Sequence, residues 1–175
     1  VGHHLAHPLI LRLAGCVATL DVPRHAKRRM QDFRVELSVR DYECDLQGIV
    51  NNAEYFHYFE HIRHLFCHSV GLDFAALHDR GVDLVAIRAE IDYIQPLRSR
   101  DRFLVTARME RVSILRWAFV QQILRQPDGV VLAGGRFLVA SLINGRPNVD
   151  PEVNAGFEQL ASGVEAEADS GPAAG

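Results

Sequence analysis

One short run limits this chain more than any other. In "AEYFHYFEHIRHLFCHSVGL", Tyr55, Phe59, Ile62 and Phe66 recur at steps of four, three and four. That spacing places them on one face of a helix, with Gly71 as a natural stop. The other long patterned runs alternate with a period of two. Before the helix, Phe33, Val35, Leu37 and Val39 alternate with Arg34, Glu36, Ser38 and Arg40. After a short helical turn within Asp73 to Arg80, Val85, Ile87, Ala89, Ile91 and Tyr93 alternate with Ala86, Arg88, Glu90 and Asp92. Gln95-Pro96 ends that ladder, because proline offers no amide donor. Phe103, Val105, Ala107 and Met109 form the next apolar face, Ser113 turns the chain into "LRWAFVQQILR", and "QPDG" is a further turn. "VVLAGGRFLVASLI" is apolar on both faces, as in a central strand, and "NGRP" closes the sheet. One long helix and five antiparallel strands make an α+β layered domain. The helix covers only part of such a sheet, so a second copy is expected to complete the burial.

The domain is expected at residues 31–150. Residues 1–30 are basic, with Arg12, Arg24, Lys27, Arg28 and Arg29 against Asp21, and read as a weakly ordered extension. "LAGC" at Leu13 to Cys16 looks like a lipoprotein cleavage box, but Arg12 interrupts the apolar segment and no Lys or Arg precedes it. Residues 151–175 read as a disordered acidic tail, since "ASGVEAEADSGPAAG" lacks large apolar groups. A net charge of −3 gives no basic stripe for nucleic acid. No apolar run reaches the roughly 20 residues that span a bilayer. Cys16, Cys44 and Cys67 are odd in number and lack CxxC spacing, which fits reduced thiols in a cytoplasmic protein.

The connection between the first strand and the helix, "YECDLQGIVNN", holds little that packs. Asn51 or Asn52 suits a helix cap, and Gly48 permits a sharp return. An aspartate in such a loop ordinarily ties up backbone amides, and on the residues alone that is the reading of Asp45. Glu43 reads as a solvated loop charge.

"YECDLQGIVNNAEYFHYFEHIRHLF" resembles the signature of hotdog-fold acyl-CoA thioesterases, above all the 4-hydroxybenzoyl-CoA thioesterase family with its Tol-Pal-associated members. Asp45, Gly48 and Tyr55 match its aspartate, glycine and tyrosine. In "YIQPLRSRDRF", Tyr93, Pro96, Leu97 and Asp101 match a second landmark. The resemblance covers about residues 33–145. It implies a hotdog fold, a long central helix wrapped by a five-stranded antiparallel sheet, with sites at the interface of a homodimer or homotetramer. It also implies an acyl-CoA substrate, no cofactor, Asp45 as the catalytic carboxylate, and a carbonyl-polarising backbone amide at Asn52. Gly48 and Tyr55 are carried over as substrate-binding positions, although Tyr55 on its spacing alone packs on the core face. Some members carry His where Asn52 stands, so an imidazole relay is absent here.

The chemistry suits these residues. A helix start offers free amides and about half a positive charge, and one such donor to a developing oxyanion is typically worth ~3 kcal/mol. Asp45 either attacks directly or activates water. Cys44 sits beside Asp45, but adjacent side chains point apart and no His follows in the loop. His57, His61, His64 and His68 share the helix face opposite the apolar stripe; pairs four apart can bind zinc, but HExxH is missing, and no metal site is expected. Arg98, Arg100 and Arg102 either meet coenzyme A phosphates or keep an edge strand soluble. Two other functions remain open: a hydratase or dehydratase of enoyl or 3-hydroxyacyl thioesters, and a non-catalytic acyl-thioester binding module.

Overall fold

The computed structural model describes residues 32–163. The expectations for residues 1–30 and for the chain beyond 163 lie outside the described residues. Strand β1 (Phe33–Ser38) leads through a 3-10 turn (Asp41–Glu43) to helix α1 (Asn52–His68) and a short helix α2 (Phe74–Asp79). Strands β2 (Val82–Tyr93), β3 (Arg102–Arg111), β4 (Arg116–Arg125) and β5 (Val131–Ile143) follow, then a two-residue β6 (Arg146–Pro147) and helix α3 (Pro151–Ser162). The strands form one antiparallel sheet in the order β1-β3-β4-β5-β2, with β6 added to β5.

The helical stripe does what its spacing requires. Tyr55, Phe59, Ile62 and Phe66 are buried, and they meet Phe103, Val105, Ala107 and Met109 from β3 and Phe137 and Val139 from β5 in one core. Two residues of the sheet let α1 settle closely. A side-chain carbon on Gly135 would lie 2.7 Å from Phe137 Cε2 and 3.1 Å from Phe59 Cε2, so glycine is what the contact leaves room for. Gln121, fully buried on β4, donates through Nε2 to the Phe59 carbonyl at 3.0 Å and accepts from the Arg63 guanidinium at 3.2 Å. Both ends of that buried amide are thereby satisfied. Arg63 itself lies 4.1 Å above the Phe137 ring, a cation–π contact.

Two expectations need correction. The alternation assigned to the strand from Val85 to Tyr93 is broken by a register shift between Ala86 and Arg88. Val82 and Leu84 pack on the core before it and Ile91 after it, so the inward face passes from even to odd positions. One inserted residue has that effect in a ladder of period two. The second correction concerns the tail boundary at 151. Pro151–Ser162 is helix α3, capped by Asp150, whose carboxylate accepts from the Val153 amide at 3.0 Å, and ended by Gly163 at φ 76°. Val153, Phe157 and Leu160 are buried, with Phe157 edge-on to Trp117 and Phe119. A stripe at steps of four and three finds a partner surface at the end of β3 and the start of β4, and that burial offsets the cost of ordering the segment.

Candidate active site

The loop from Cys44 to Val50 is a small hairpin. Cys44 and Val50 bridge antiparallel, the Asp45 amide donates to the Ile49 carbonyl at 2.8 Å, and the Gly48 amide returns to the Asp45 carbonyl at 3.0 Å. Gly48 takes φ 71°, which glycine adopts without penalty. The Val50 amide donates to Leu97 O at 2.9 Å, tying the hairpin to the turn after β2. Asn51 is the cap of α1: its Oδ1 accepts from the Ala53 amide at 2.9 Å. The next amide, that of Asn52, donates to no acceptor among the described residues. It is one of the free donors that every helix start leaves.

Asp45, Asn52, Tyr55, Tyr93, Ile94 and Pro96 contribute to the lining of one cavity of about 440 Å³. Asp45 is half-buried there. Its Oδ1 accepts from the Gln47 amide at 2.8 Å, while Oδ2 accepts no hydrogen bond among the described residues. The ordinary turn role of an aspartate is therefore present, and it occupies one oxygen. Tyr55 is among the lining residues, and its hydroxyl oxygen accepts from the Leu97 amide at 3.1 Å. Burial raises the pKa of that phenol, so it stays protonated. Gly48 does not line the cavity; it shapes the turn. Tyr93, which the sequence marks only as part of the second landmark, is also among the lining residues, and its hydroxyl donates to the Asn52 carbonyl at 3.1 Å, fixing the helix start against the end of β2.

Glu43 is not the solvated loop charge that its sequence position suggests. It is only 3% exposed, and its carboxylate accepts from Tyr58 OH at 2.6 Å, the Arg40 amide at 2.7 Å and the Arg40 guanidinium at 3.2 Å. The available signal was Tyr58, a second tyrosine three residues after Tyr55 on the inner side of the helix. Among the four histidines, His57 pairs with Glu54 at 3.0 Å and His64 leans on the Phe74 ring at 4.6 Å. No cluster of three or more ligating side chains occurs among the described residues. Arg102 pairs with Glu36. Arg98 and Arg100 are exposed and form no ion pair among the described residues, and Arg98 reaches the Gly48 carbonyl at 3.5 Å. Cys44 and Cys67 are free thiols, and burial pushes Cys67 up to about 12.

Residues 39–157 match the model of the thioesterase-like superfamily. The chain belongs to that superfamily. Its fold is the hotdog fold. The thioesterase-like chain is 40% identical over 94 residues to a chloroplastic acyl-acyl carrier protein thioesterase of Arabidopsis thaliana, covering 54% of this chain and 50% of the relative. A second such Arabidopsis protein is also 40% identical, over 100 residues, 57% of this chain and 53% of its own length. The chain thus spans about half the length of these plant relatives. Among solved structures, a hypothetical protein of Aquifex aeolicus is 28% identical with a TM-score of 0.67, covering 71% of this chain and 98% of that one. A 1,4-dihydroxy-2-naphthoyl-CoA thioesterase from Synechocystis superposes with a TM-score of 0.69 at 18% identity, over 76% of this chain and 97% of its own, a likeness of fold alone. Among the described residues no helix is long and apolar enough to cross a membrane.

Proposed function

We propose that this thioesterase-like protein hydrolyses acyl thioesters, with acyl-CoA as substrate, releasing a carboxylic acid and the thiol. One observation carries the reading: Asp45 and Asn52, whose amide donates to no acceptor among the described residues, are both among the residues that line one cavity. The amide, at the positive end of the α1 dipole, polarises the thioester carbonyl and stabilises the oxyanion that forms. Asp45, held through Oδ1 by the Gln47 amide, keeps Oδ2 for attack on the carbonyl carbon or for taking a proton from water. The thiolate leaves without needing a strong general acid. Tyr55, Tyr93, Ile94 and Pro96 offer an apolar wall to the acyl group.

Arg98, whose guanidinium reaches the Gly48 carbonyl, and Arg100 form no ion pair among the described residues, and they suit the phosphates of coenzyme A. Asp45, Gly48 and Tyr55, together with Tyr93, Pro96, Leu97 and Asp101, favour the 4-hydroxybenzoyl-CoA type within the superfamily. A second copy is proposed along β2, the sheet edge where Ile87, Tyr93 and Ile94 are 47%, 48% and 57% exposed. The free thiols at Cys44 and Cys67 suit a reducing, cytoplasmic setting.

The test is a panel of acyl-CoA and acyl-carrier-protein thioesters assayed for released thiol, with wild type and Asp45→Asn side by side. The amide side chain keeps an oxygen for Gln47, so the variant is expected to fold and to lose at least about 99% of turnover. Hydrolysis at the wild-type rate by Asp45→Asn removes Asp45 from the mechanism. Binding without turnover by the wild type makes the protein a carrier of acyl thioesters.

A further inference from the structure

Glu43 lies two residues before Asp45 but outside the cavity that Asp45 lines. A carboxylate 3% exposed is costly unless donors replace its water. Three do so, at 2.6, 2.7 and 3.2 Å, and two of them come from Arg40 on the same turn. The third, Tyr58 OH, reaches across from the second turn of α1, and its ring is itself 6% exposed against Phe103. The main chain of Glu43 makes a further tie, its carbonyl accepting from the amide of Asn51, the cap of α1, at 2.9 Å. Residue 43 is therefore bonded to α1 twice, at the cap through its backbone and about two turns further on through its side chain.

Both attachments sit at the base of the hairpin that carries Asp45, and both end on the helix whose first amide belongs to Asn52. We infer that Glu43 and Tyr58 form a clasp that positions the Asp45 hairpin against the start of α1, setting the distance between the carboxylate and the Asn52 amide. The inference rests on the hydrolase reading proposed above. Glu43 acts through Asp45 and touches no substrate, so it is a positioning residue. Burial, first, and the neighbouring Glu43 hold the Tyr58 phenol far above its ordinary pKa, so the clasp keeps its proton at all working pH values. A reacting pair misplaced by about 1 Å commonly loses about a hundredfold in rate.

The experiment compares wild type, Asp45→Asn, Tyr58→Phe, Glu43→Gln and the double variant Glu43→Gln/Tyr58→Phe on one acyl-CoA. Tyr58→Phe deletes one oxygen and leaves the ring packed. The expected result is a kcat about tenfold to a hundredfold lower in each clasp variant, with KM within about threefold of wild type. The double variant should lose no more than the worse single one, as for two halves of one contact. A lower melting temperature with kcat per folded molecule unchanged overturns the inference and leaves Glu43 a structural residue, as does loss of folding in both single variants. Failure of the hydrolase reading shows separately, as an inactive wild type or a fully active Asp45→Asn. The clasp is then read from backbone amide resonances. Shifts at Asp45, Gly48 and Asn52 in Tyr58→Phe, with those of β4 unmoved, support it, and unmoved resonances at those three positions overturn it.

Discussion

At the scale of single residues, Asp45 has lost freedom before any substrate arrives: the Gln47 amide holds Oδ1, and the hairpin behind it turns on Gly48. Gly48 has φ 71° with nothing within 4 Å of where a side-chain carbon would sit, so Gly48→Ala carries a conformational penalty and no clash. That penalty is about 1–2 kcal/mol, and a melting temperature lower by several degrees with reduced kcat is the expected measurement. Gly135→Ala differs in kind. Its added carbon falls 2.7 Å from the Phe137 ring on the same strand and 3.1 Å from the Phe59 ring of α1, so both rings must shift, at a cost of about 1–3 kcal/mol read by urea unfolding. An unchanged unfolding midpoint for Gly135→Ala would show that the helix does not seat as closely as described.

Among the elements, α3 is the one that composition concealed. Averaged over 151–175 the chain is small and acidic, yet Asp150, Pro151 and Gly163 mark a helix start and stop, and Val153, Phe157 and Leu160 make a stripe. Three apolar residues are too few to hold a helix alone; Trp117 and Phe119 provide the surface. Phe157→Ala is expected to cost about 3–5 kcal/mol, measured by denaturant, and thermal stability equal to wild type would rule out the docking of α3. The strand β2 shows the same dependence on its surroundings. Alternation alone could not reveal the inserted residue near Ile87, because a bulge leaves both halves of the strand with a perfectly good period of two.

Considered as a whole, the molecule has a sheet with β2 at one edge, and the apolar groups exposed there are the argument for a second copy. Sedimentation is expected to give twice the chain mass, and Ile87→Lys with Ile94→Lys to shift it toward the monomer; a wild type that sediments as a monomer at micromolar concentration rejects the pairing. Stability should also follow the carboxylates. Burial raises Glu110, but Arg136 and Arg108 outweigh it and hold its pKa low, and amide or guanidinium donors do the same for Asp73 and Asp128. Carboxyls with depressed folded pKa values add stability that is present above their unfolded values, about 4, and lost as pH falls through the folded ones. The melting temperature should thus hold above about pH 5 and decline below pH 4. What the chain alone determined were the helix, the strands, the turn at Gly48 and a cap at Asn51 or Asn52, because periodicity, glycine freedom and capping act over a few residues. Only the tertiary structure decided which loop acid is buried and which is among the residues lining a cavity, and where the β2 register slips. It also decided that α3 docks. Those outcomes depend on contacts such as Glu43 with Tyr58 and Phe59 with Gln121, between partners 15 and 62 positions apart, whose burial no local pattern encodes.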